Sequence, residues 1–76
     1  MPKIRPVHWK VFERFLVEVG CVLKRREASH RLYWKEGMHR PIVLQGKGNV
    51  PVFIIVNNLR TLGVSREEYL AIVGAG

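Results

Sequence analysis

The segment Arg26-Glu27-Ala28-Ser29-His30-Arg31 puts an imidazole, a hydroxyl and fixed positive charge into six consecutive positions, with Lys24 and Arg25 just before it. An imidazole takes up and releases protons near neutral pH, which suits it to general acid–base work. Guanidinium and ammonium groups attract phosphate and stabilise negative charge that builds on phosphorus. Metal-free RNA cleavage uses the neighbouring 2′-hydroxyl as nucleophile, so a protein need only remove one proton and supply another at the leaving oxygen. His30 suits either transfer, a contribution of about 10²- to 10⁴-fold. Lys24, Arg26 and Arg31 are the candidates for charge stabilisation, Arg25 and Lys47 extend the phosphate-binding set, and Ser29 can bond a phosphate or orient the loop. No clear second acid or base accompanies His30, because Glu27 is crowded by cations. These residues point to RNA binding, with any cleavage slow or water-assisted.

Other chemistries find less support. His8 and His39 lack partners at ligand spacing and read as surface residues. With a single cysteine, Cys21, and no aspartate, no known metal-ligand cluster fits, and no cofactor is called for. Gly46-Lys47-Gly48 lacks the remainder of any phosphate-loop motif and reads as a turn. Tyr33 and Trp34 are candidates for stacking on bases, although a tryptophan at the spacing of Trp34 is more often core.

The charge is distributed to match. The chain of 76 residues carries +7, and Lys24 to Lys47 alone hold seven Lys/Arg against Glu27 and Glu36, a net +5. Such a stretch suits nucleic acid, an anionic membrane or an acidic partner, and its concentration in the middle third argues for a functional face over general solubility. The length implies one domain, residues 1–76, near the lower limit for a self-sufficient core, so a partner or homo-oligomer formation would add stability. Lys3 and Arg5 interrupt the start where a signal peptide would need an apolar run. Gly48 to Leu59 is too short to span a bilayer. A lone cysteine suits a reducing cytoplasm.

Those residues need a scaffold, and the sequence supplies a plain one. Trp9, Phe12, Phe15, Leu16 and Val19 form a helical stripe from Trp9 to Val19, stopped by Gly20. Cys21 to Arg26, His30 to Trp34 and Arg40 to Gln45 read as strands, joined by Glu27-Ala28-Ser29 and by the turn Lys35 to His39. Val52 to Leu62 reads as a helix because Val52, Ile55, Val56, Leu59 and Leu62 share a face, although Val52 to Val56 is also strand-like. Ser65 and Glu68 form a capping box that starts a short helix to Val73. The fold class is α+β, in the order α-β-β-β-α(-α): a three-stranded antiparallel sheet with two main helices on one face. The free face would carry much of the basic charge. Alternation sets His30, Leu32 and Trp34 on one face and Arg31 and Tyr33 on the other. A core-facing Leu32 and Trp34 would leave His30 only the rim.

This pattern resembles the small HicA-type toxins of bacterial and archaeal toxin–antitoxin pairs, over nearly the whole chain. Pro6 to Gly20 resembles the family's first helix and terminal glycine. Ala28-Ser29-His30-Arg31-Leu32-Tyr33 resembles its signature, a small residue, serine and histidine after a basic strand. Leu59 to Leu70 resembles its closing helix, glycine and capped short helix. The resemblance implies a fold related to the double-stranded-RNA-binding domain, a cytoplasmic mRNA interferase with His30 as its catalytic residue, and a HicB-type antitoxin as partner. Two departures stand out. Ala28 replaces the family's glycine, which strains the chain if the turn needs a positive φ, and Gln45 to Asn49 leads into an unusually apolar helix. The alternatives are a non-catalytic RNA-binding module and a degenerate toxin that acts only through protein contacts.

Overall fold

The structure, a computed structural model, describes residues 3–74. Its elements are β1 (Val7–His8), α1 (Trp9–Glu18), β2 (Val22–Glu27), β3 (His30–Trp34), β4 (Ile42–Gln45), β5 (Asn49–Val50), α2 (Val52–Leu62) and α3 (Arg66–Gly74). The α+β class and the antiparallel meander β2-β3-β4 are as the sequence predicts, with β3 central. The two-residue strands β1 and β5 are an addition. They pair antiparallel, Val7 with Val50 and His8 with Asn49, and tie the chain entering α1 to the chain entering α2.

Local chemistry sets the helix limits. His8 caps α1: its Nδ1 accepts from the Lys10 N–H at 3.2 Å, satisfying one donor the first turn leaves open. At the other end Gly20, at φ 99°, donates to the Val17 carbonyl while Cys21 donates to that of Leu16. That is a Schellman closure, which needs a left-handed residue. Gly63 repeats it after α2 at φ 70°, with Gly63 bonded to Arg60 and Val64 to Leu59. Ser65 Oγ accepts from the Glu68 N–H at 3.1 Å and starts α3.

The strand-like run Val52 to Val56 is helical because its periodicity continues: Ile55 and Leu59 are buried on one side of α2. They join Phe12, Phe15 and Leu16 of α1, Tyr69 of α3 and Tyr33, Ile42 and Leu44 of the sheet in one core. All three helices therefore contribute to a core on the same face of the meander. Tyr69 packs edge-on against Phe15, with ring centroids 4.8 Å apart. The strand β2 lies at the sheet's edge, and every one of its residues is exposed.

Candidate active site

Antiparallel register decides which side chains share a face. Glu27 pairs with His30, and His30 with Gln45. The next row on the same side holds Arg25, Leu32 and Val43, and beyond it lie Val22 and Trp34. Tyr33, only 1% exposed, Ile42 and Leu44 occupy the other face, against the helices. His30, exposed, therefore stands on the open face. The tension over Leu32 and Trp34 disappears because Tyr33 takes the core position. Trp34 is only partly buried and lies on the open side.

The expectation that this open face carries much of the basic charge needs correction. Consecutive residues of a strand point to opposite sides, so Arg25 goes with His30 while Arg26 and Arg31 go to the helix side. Lys24 sits at a register shift between Leu23 and Arg25, the extra residue of a bulge. What the open face mostly offers is apolar: Val22 and Val43 are 54% and 49% exposed, beside Leu32 and Trp34.

Arg31 is engaged in an anchoring network. Its Nη2 and Nε lie 2.9 and 3.0 Å from Glu13 Oε2, and its Nε also donates to Tyr33 Oη at 3.1 Å. The Tyr33 hydroxyl donates to the same Glu13 oxygen. The guanidinium stands 5.0 Å from the centroid of the Trp9 ring, a favourable cation–π placement. Burial first, and then the bond to Glu13, push the Tyr33 phenol up to about 12. Of the residues expected to bind RNA, Arg31 is thus tied to α1. Lys24, Arg25, Arg26 and Lys47 are exposed, and Arg25 pairs with Glu27 at 2.9 Å.

The hairpin Ala28-Ser29 presents His30. Its two-residue loop needs a positive φ to follow the strands' twist, and Ala28 adopts one, φ 54°. The strain raised by the absence of glycine is therefore present. From the neighbouring loop, Gly46 donates to the Ser29 carbonyl at 2.6 Å. A side chain at position 46 would come within 3.2 Å of that oxygen and 3.1 Å of Arg31 Cδ, so glycine lets the two loops touch. His30 is paired with Glu27 of β2 and Gln45 of β4, and Gly46 holds Ser29 beside it.

Beside His30 opens a groove of about 430 Å³, bounded by Val43, Gln45, Asn49 and Phe53 and floored by Leu44 and Val50. Phe53 is 65% exposed. The sequence does not single out Gln45, Asn49 or Phe53 as site residues. The available signal was that Phe53 falls off the apolar stripe of its helix. His39 is exposed and apart from this group. Among the described residues no three of His, Cys, Asp and Glu gather as a metal site would require, and no helix is long and apolar enough to cross a membrane. The arrangement offers a proton-transfer group beside a groove of mixed apolar and amide character. Comparison of the chain with family models, with curated proteins and with solved structures gave no match.

Proposed function

We propose that this protein is a HicA-type toxin: a metal-independent endoribonuclease that cuts mRNA in the cytoplasm and is silenced by a HicB-type antitoxin. The observation that carries the reading is His30, exposed on the open sheet face and held from both sides at the mouth of a groove. In this reading His30 moves the proton between the 2′-hydroxyl and the leaving oxygen, and Arg25, Lys24 and Lys47 approach the phosphates. The half-exposed Val22 and Val43, with Trp34, give the antitoxin an apolar surface whose coverage would also hide His30. Acidic groups on the antitoxin would meet the cations of β2.

The test is a labelled mRNA incubated with pure protein in the presence of EDTA. The parent should cut it, and His30→Ala should fold normally and lose cleavage by about 10²-fold or more. A His30→Ala variant that cuts at the parent's rate refutes the assignment. The second reading, a non-catalytic RNA-binding module, is favoured by one observation: Glu27, opposite His30, is paired with Arg25 and leaves the imidazole without a free acid–base companion. That reading predicts salt-sensitive binding with no cleavage products.

A further inference from the structure

We propose that the groove beside His30 is a nucleobase subsite, with Phe53 as its stacking platform and the amides of Gln45 and Asn49 facing the base edge. It rests on the nuclease reading in one respect only: the base received is the one flanking the phosphate at His30.

The placement of Phe53 is the first support. It lies in the first turn of α2, off the side that buries Ile55 and Leu59, and its exposure leaves it little part in the core. An aromatic ring at a groove wall, with Val43 and Pro51 beside it, provides a flat apolar surface. Unpaired bases are held on such surfaces. The second support is polar. Gln45 and Asn49 end β4 and begin β5, and each amide both donates and accepts, as base edges require. The third is charge. No carboxylate lines the groove, and Lys47 sits exposed on the loop joining the two amides. A polyanion can approach from that side without repulsion. The groove's size falls in the range of small-ligand pockets.

The experiment measures binding of a fluorescently labelled, fully 2′-O-methylated single-stranded RNA, which cannot be cut, by anisotropy. A matched strand with abasic sites serves as the second probe. Phe53→Ala should weaken binding to the intact strand by roughly 5- to 150-fold, and Phe53→Trp should retain it. Neither variant should weaken binding to the abasic strand further. Because the side chain is exposed, circular dichroism of Phe53→Ala should match the parent. Equal affinity of Phe53→Ala and parent for the intact strand overturns the subsite, as does an equal loss on both strands. Absence of binding by the parent overturns it too. His30-dependent cleavage with no Phe53 effect refutes the subsite and leaves the nuclease standing. Phe53-dependent binding without cleavage does the reverse.

Discussion

Replacing Ala28 with glycine should stabilise this protein. Ala28 holds φ 54°, and among the described residues it is the only non-glycine with a positive φ. A left-handed backbone costs an L-residue about 1–2 kcal/mol, because Cβ crowds the following carbonyl oxygen. Glycine removes that crowding but frees the unfolded chain, an opposing effect of about 0.4–1 kcal/mol. The balance favours Ala28→Gly by roughly 0.5–1 kcal/mol. For a domain of this size each kcal/mol moves the midpoint by about 4–8 °C, so Tm should rise by about 2–8 °C. Thermal unfolding followed by far-UV circular dichroism measures it. Ala28→Val should shift the midpoint downward, since a β-branched residue tolerates this conformation least. On the nuclease reading, cleavage by the glycine variant should match the parent's, because β2 and β4 still hold His30 and Gly46 still holds Ser29 beside it. An unchanged or lowered Tm for Ala28→Gly would refute the strained-hairpin account.

Gly46→Ala should cost roughly 1 kcal/mol, the lower end of overpacking penalties, because its Cβ would crowd the Ser29 carbonyl; an unaltered urea midpoint would show that the two loops part freely. The two tyrosines, both buried, should be silent at ordinary phenol pH. Burial raises Tyr69 as it does Tyr33, whose phenol sits at about 12. Their neutral forms are favoured in the fold, while an unfolded chain ionises near 10. Stability is therefore intact below about pH 10 and falls as pH climbs from there toward 12. In an ultraviolet titration, phenolate should appear together with loss of structure; phenolate formed near pH 10 with the fold intact would contradict the buried network.

The elements that end in explicit chemistry were legible in the sequence. Gly20 and Gly63 close helices, Ser65 opens one, and the stripe Val52, Ile55, Leu59 outweighs the β-branched run Val52 to Val56. The strands β1 and β5 were not, because two residues carry no period. Alternation separated His30 from Arg31 correctly, but alternation alone does not say which side is inward. Tyr33 settles that by reaching Glu13, twenty residues away in the chain. A separation of eighteen residues from the same Glu13 hid the engagement of Arg31, which looked as free as its basic neighbours. The groove joins β4, β5 and the first turn of α2, so only the folded chain assembles it.

The neighbours His30 and Arg31 divide two tasks between adjacent peptide units: one looks out at solvent, the other grips α1 through Glu13. Deleting or inserting a single residue between Glu27 and His30 would put every later side chain of the strand out of phase. In either case the guanidinium would turn outward, away from Glu13, and the imidazole would leave the open face. The spacing of that short connection is therefore under stricter control than its composition: alanine is tolerated there at a modest conformational cost, whereas a change in length would exchange the strand's working side for its anchored one.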